Sequence, residues 1–205
     1  MLRRDVKQFI IFSLDLYDDC PDRGHGKEHI SQVIEHAVAM SKEMDLDENI
    51  AAVAACFHDV GLMWGDCTRE HHHINSGKFI EDNYEVFRCY FTNSEIAKIK
   101  AAVEEHRSSY KGEYTSIYSL IISDADRSCD IITMISRSYL YNLDHGTPMD
   151  KLYNEVYNHL KEKYGPEGRV KLHLPYAKEM LQASKEIIAD ESKFKAMYEY
   201  VVKNI

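Results

Sequence analysis

Residues 51–61 read AAVAACFHDVG. Up to Phe57 every side chain is small or apolar, and then a histidine and an aspartate follow directly. A helix apolar on all its faces has no side to give to water, so this stretch predicts a buried helix. Asp47, just upstream, predicts its N-cap, and Gly61 predicts its stop. An aspartate closing such a helix needs compensation, because burying an unpaired carboxylate is costly. Metal coordination is one remedy. A satisfied polar pair, or a helix end open to water, is the other, and the dipeptide His58-Asp59 alone leaves both open.

Helical spacing also dominates on either side. Residues 3–18 place Val6, Phe9, Ile10, Leu14 and Tyr17 on one stripe, and a glycine-containing turn follows at 21–26. Residues 29–44 form a second helix with Ile30, Val33, Ala37, Met40 and Met44 on its apolar side. Further helices are expected over 71–83, 94–106, 116–142, 149–163, 173–189 and 192–203. Asn93 or Ser94 would cap the one that carries Ile96, Ile99 and Val103. Residues 107–115 read as an exposed loop. No stretch alternates with period two. The expected fold class is therefore all-α: one single-domain helical bundle over residues 1–205, with its chemistry-bearing motifs within 24–130 and a C-terminal helical extension over 145–205.

Composition narrows the function. The formal net charge is −9 and no dense run of Lys and Arg occurs, which argues against a nucleic-acid polymer as partner. A compact phosphorylated molecule remains compatible, since a bound metal supplies positive charge locally. No run reaches the roughly 18 apolar residues of a membrane span. The N-terminal apolar run is broken by Asp5, Lys7, Asp15, Asp18 and Asp19, so it reads as a first amphipathic helix and not as a signal peptide. The five cysteines form no C-x-x-C pair and are odd in number, so a disulfide framework is not expected and a reducing cytoplasm fits.

Four further clusters carry candidate chemistry. His25 and His29 are four apart and can share a helix face, either as ligands or as surface and capping groups. SLIISDADRSCD (119–130) continues an apolar helix into Asp124, Asp126 and Asp130. The run His71-His72-His73 precedes Ser76 and Gly77, and at about 100° per residue its three rings cannot all face one site. His106 closes IKAAVEEH (99–106).

Taken in order, GHGKEHISQV (24–33), AACFHDVG (54–61), HHHINSGKFI (71–80), AAVEEHRSS (101–109) and IISDADR (121–127) resemble the HD superfamily of metal-dependent phosphohydrolases, in particular its small stand-alone bacterial members. The resemblance implies His29, His58, Asp59 and Asp126 as core metal ligands. Asp124 is a rival, disfavoured because Asp126 follows an alanine as in the family's pattern. His72 and His106 match positions that bind a second metal in binuclear members and line the phosphate pocket in mononuclear ones. Asp59 would also help hold the attacking water, and His25, His72 or His106 would protonate the leaving group. Lys78 and Arg107 are placed to hold phosphate oxygens. The implied cofactor is one or two divalent ions of Mn, Fe, Co, Ni or Zn.

The implied activity is hydrolysis of a phosphoester or phosphoanhydride in a small molecule, with nucleotides as candidates, by metal-activated water. Rival readings are a di-iron oxygenase on the same scaffold and a non-catalytic metal or nucleotide sensor. A homo-oligomer is compatible with the sequence. One departure is Ser128-Cys129, where many relatives carry a leucine. His145, His159 and His173 read as structural or exposed. Tyr110 and Tyr114, in the loop after His106, suit either base stacking or packing.

Overall fold

A computed structural model of the chain describes residues 1–20, 23–63, 70–127 and 130–205, with the side chain of Arg23 left aside. The departure at 128–129 and part of the turn expected at 21–26 lie outside the described residues. The fold is all-α, with no strand among the described residues. It divides into two compact units, residues 1–127 and 128–205. No described helix is long and apolar enough to cross a membrane.

The first unit is built around the helix that opened the sequence reading. It contains α1 (Arg4–Ser13), α2 (Lys27–Glu43), α3 (Glu48–Phe57), α4 (His72–Asp82), the short α5 (Tyr84–Phe87), α6 (Asn93–Glu105) and α7 (Ile117–Ala125). Asp47 caps α3, its side chain accepting from the Asn49 N–H, and every residue from Asn49 through Phe57 is buried. Helices α1, α2, α6 and α7 all pack on it. The four alanines on α3 let these neighbours approach, while Phe57 stacks against Phe79, meets Phe9 at a tilt and meets Phe87 edge-on. A 3₁₀ turn at Leu14–Tyr17 continues α1, and the buried Tyr17 hydroxyl donates to the Cys56 carbonyl at 2.7 Å. That bond fixes the end of α3 two residues before His58.

Several local expectations are corrected. The predicted α6 caps, Asn93 and Ser94, both fall inside the helix. Thr92 caps it in a capping box, its hydroxyl accepting from the Glu95 N–H while the Glu95 carboxylate accepts from the Thr92 N–H. Met44 leaves the apolar stripe of α2 and is exposed, because the helix ends at Glu43 and the chain turns off through Asp45 at φ 54°. Gly61 does not cap α3 in a left-handed conformation. It lies within another 3₁₀ turn, Val60–Met63. The single helix expected over 116–142 is two, α7 and α8 (Ile131–Asp144). Asp130 starts the second by accepting from the N–H groups of Ile132 and Thr133.

The second unit comprises α8, α9 (Leu152–Tyr164), α10 (Pro175–Ala189) and α11 (Glu191–Asn204). Each helix packs on two others, α8 on α9 and α11, and α10 on α9 and α11, closing a four-helix ring. Its core follows helical spacing: Leu152, Val156 and Leu160 on α9, and Ala177, Leu181, Ser184 and Ile188 on α10. Helix α8 belongs to this unit.

Candidate metal centre

The sequence-predicted ligands meet where helix ends converge in the first unit. His29 lies in the first turn of α2 and His72 opens α4. His58, His106 and Asp126 are the C-caps of α3, α6 and α7. A helix C-terminus carries partial negative charge on its unpaired carbonyls, so three of these five ends favour a cation.

Two donor groups result, and Asp59 belongs to both. In the first, His29 Nε2 lies 3.2 Å from Asp126 Oδ1 and 3.6 Å from Asp59 Oδ2. His58 Nε2 lies 3.1 Å from Asp59 Oδ2 and 3.7 Å from Asp126 Oδ1. In the second, His72 Nε2 and His106 Nε2 stand 3.0 and 3.6 Å from Asp59 Oδ1, and 3.1 Å from each other. Ligands at about 2.1 Å around one ion sit on the order of 3.0–3.4 Å apart, so both groups have the spacing of ligand edges. His29, His58, Asp59 and His106 are buried; His72 and Asp126 are half-buried. His58 Nε2 and Asp59 Oδ2 make no hydrogen bond despite their burial. Buried polar atoms without hydrogen bonds are costly, and a divalent ion between them removes that cost. The residues therefore fit a metal.

Ring orientation supports the fit. His58 Nδ1 donates to the Ala55 carbonyl at 2.7 Å, and His106 Nδ1 donates to the Val103 carbonyl at 2.6 Å. A carbonyl only accepts, so in both rings Nδ1 carries the proton and Nε2 turns its lone pair to the site in the neutral form. Burial works against a charged His58, but the carboxylates of Asp59 and Asp126 outweigh it and raise its pKa to about 10 in the metal-free chain. Burial likewise opposes ionisation of Asp59 and Asp126, yet the surrounding imidazoles hold both carboxyls well below the usual range. Burial, helped by His58 and opposed by Asp59, lowers the pKa of His106.

The remaining candidates fall around this centre. His25 Nε2 is 4.0 Å from Asp59 Oδ2, and its side chain is 18% exposed. Asp124 is fully buried but belongs to neither donor group. Of the histidine run, His71 is exposed, His72 is a donor, and His73 has its pKa lowered to about 4, chiefly by burial and then by Arg107. Arg107 donates to the Glu70 carbonyl. Lys78 is exposed; six residues past His72 it lies roughly 240° round α4 from that ligand.

Two supports went unread in the sequence. Gly61 N–H donates to the buried Ser76 hydroxyl at 2.8 Å, and a Cβ on Gly61 would collide with the His72 carbonyl oxygen. The glycine thus lets α4 lie directly on the turn after His58-Asp59, which brings His72 to Asp59. The signal was present in the spacing, since Ser76 follows His72 by one helical turn. Buried Arg127 donates from Nη2 to the His106 carbonyl at 2.7 Å and from Nη1 to Ser123 Oγ at 2.8 Å. Nothing short of the tertiary packing of α6 on α7 announces that contact.

The HD-domain family model matches residues 26–129, half of the chain and every residue of the two donor groups. No curated protein matches the sequence. Among solved structures, a protein of Lactobacillus plantarum is similar with a TM-score of 0.68 at 19% identity, over 98% of this chain and all of that one. A predicted HD superfamily hydrolase from an uncultured Thermotogales bacterium is similar with a TM-score of 0.56, also at 19% identity, over 97% of this chain and 90% of that one. At such identity these likenesses bear on the fold alone. The family match and the helical architecture agree: the chain belongs to the HD-domain family.

Proposed function

We propose that this chain is a metal-dependent phosphohydrolase acting on a small phosphorylated molecule. The observation that carries the reading is the sharing of Asp59, whose Oδ2 faces His29, His58 and Asp126 while its Oδ1 faces His72 and His106. The first group would hold one divalent ion and the second group another. A bound ion of this kind lowers the pKa of water and neutralises charge on a phosphoryl group. The mixed imidazole and carboxylate donors suit Mn, Fe, Co, Ni or Zn.

The chain's own residues supply the rest. Asp59 holds both positions in register. His25, partly exposed at the edge of the first group, is placed to hold a proton for the departing oxygen. Arg107 adjoins His106 and offers a guanidinium to phosphate oxygens. The acidic balance favours a compact substrate over a polymer, and nucleotides are the first class to test. Membership of the HD-domain family supports hydrolysis as the reaction type. The C-terminal helices serve as an extension of one HD domain whose site lies in residues 1–127.

The test is phosphate release from a panel of nucleotides and sugar phosphates with Mn²⁺, run beside Asp59→Asn. Release by the wild type that the variant lacks supports the proposal. No release with any divalent ion refutes it. The paired donor groups also favour a second reading, a di-iron oxygenase, for which Fe²⁺-dependent oxygen consumption would be the decisive signal.

A further inference from the structure

The second donor group contains two histidines whose rings are held by quite different means. His72 is carried on the first turn of α4, which the Gly61–Ser76 bond seats against the turn following Asp59. His106 is the C-cap of α6, and the chain leaves the helix there into loop 107–115. A C-cap carbonyl has no acceptor role inside its own helix, so its position is set by whatever it meets. His106 is 2% exposed, which puts that carbonyl out of reach of bulk water.

Arg127 meets it. Its Nη2 donates to the His106 carbonyl and its Nη1 to Ser123 Oγ, one turn back on α7. The planar fork of a guanidinium fixes two acceptors at once, which a point charge on a flexible stem does not. Ser123 Oγ is also bonded to the Tyr114 hydroxyl at 2.9 Å, and Glu105 Oε2 accepts from the Thr115 N–H at 2.9 Å. The end of the loop is thereby tied to the same two helices. Because His106 Nδ1 is clamped to the Val103 carbonyl within α6, the ring follows its own backbone. Whatever fixes the backbone of His106 fixes Nε2 relative to Asp59 Oδ1.

We propose that Arg127 is a positioning residue for the second cation position, holding His106 in ligand geometry through its backbone carbonyl. The inference rests on the two-position reading of the site. Both of these Arg127 hydrogen bonds go to supports of the site on α6 and α7, a backbone carbonyl and a serine hydroxyl. Arg127 acts at the junction of α6 and α7, one residue beyond Asp126, so a single side chain couples the placement of a first-group ligand's helix to that of a second-group ligand.

The test is Mn²⁺ titration of the full chain by calorimetry and electron paramagnetic resonance, comparing wild type with Arg127→Met, Arg127→Lys and Ser123→Ala. Wild type should bind two ions and give the spectrum of a spin-coupled pair. Arg127→Met should bind the first ion as wild type does and the second roughly 10–100-fold more weakly, as loss of an outer support does elsewhere. At wild-type saturating Mn²⁺ its spectrum should be that of an isolated ion. Arg127→Lys should recover part of the second-ion affinity, and Ser123→Ala, which spares the bond to His106, most of it. Should Arg127→Met fail to fold, Arg127→Lys decides by the same criterion. Two ions of wild-type affinity in both Arg127 variants would overturn the positioning role and leave the two-position reading standing. Equal weakening of both ions in a folded variant would overturn it too, as a general structural effect. A single ion in wild type would bring down the two-position reading and the inference with it.

Discussion

Gly61→Ala is the sharpest packing test, because one methyl group separates a folded site from an open one. The added Cβ would lie 2.8 and 2.9 Å from the Ser76 amide nitrogen and hydroxyl, and closer still to the His72 carbonyl oxygen. Backbone atoms cannot swing aside as a side-chain tip can. To reach an ordinary carbon–oxygen contact of about 3.3 Å, the start of α4 must recede on the order of 1 Å. Overpacking of this kind costs about 1–3 kcal/mol. Stretching the Gly61–Ser76 hydrogen bond adds ~1 kcal/mol. Together they amount to roughly 2–4 kcal/mol, a fall in melting temperature on the order of 4–16 °C for a chain of this size. The same displacement carries His72 away from Asp59 Oδ1, now 3.0 Å distant, so the second ion should weaken more than the first. Thermal melting by circular dichroism and Mn²⁺ titration read the two effects. Ser76→Ala removes the hydrogen bond without adding bulk and should cost only the ~1 kcal/mol share. A melting temperature within about 1 °C of wild type in Gly61→Ala, with both ions retained, would refute the packing argument.

Other outcomes follow from the same geometry. In the metal-free chain, His58 is raised from an ordinary value of 6.5 to about 10. Its contribution to stability is thus complete below pH 6.5 and is lost as pH rises towards 10. Asp59 and Asp126 are lowered, so their contributions are present above the ordinary carboxylate value of 3.8 and are lost as pH falls below it. Melting of the chelated chain across pH should therefore show a plateau between those limits; stability that climbs from neutral pH to pH 10 would contradict this. Metal binding displaces the His58 proton, so calorimetry in buffers of different ionisation enthalpy should show proton release near neutral pH. Asp126→Asn should weaken binding of the first ion, whereas Asp124→Asn should not, and direct titration of both separates them. Thr92→Ala should cost about 0.5–2 kcal/mol through loss of the α6 capping box, readable in urea unfolding.

What the sequence reveals here depends on the range of the interaction. Helix α3 is legible because its burial is written in its own composition, and Asp47 caps it as the local pattern predicts. The α6 cap is displaced by one residue because Thr92, Asn93 and Ser94 all have capping side chains, and only the pairing of Thr92 with Glu95 separates them. The break between α7 and α8 is hard to read because the polar stretch 123–130 between two apolar segments holds no glycine or proline, while Asp130 restarts the helix with its own side chain. Gly61 reads locally as a helix stop. Its actual use, the close approach of α4, is a tertiary contact. The donor residues were identified by type and order, through resemblance to a family. That Asp59 divides its oxygens between two groups depends on five helix ends converging, which no local pattern encodes. Arg127 stood within the motif stretch 121–127, yet its partner His106 is 21 residues distant in sequence.

The most direct test of the account is the metal content of the purified chain by mass spectrometry, compared with Asp59→Asn after both are loaded with Mn²⁺ and desalted. If Asp59 links two cation positions, wild type should retain up to two ions per chain, and the variant should lose both while keeping the same helical circular dichroism. A variant that retains as much metal as wild type would contradict a centre built on Asp59.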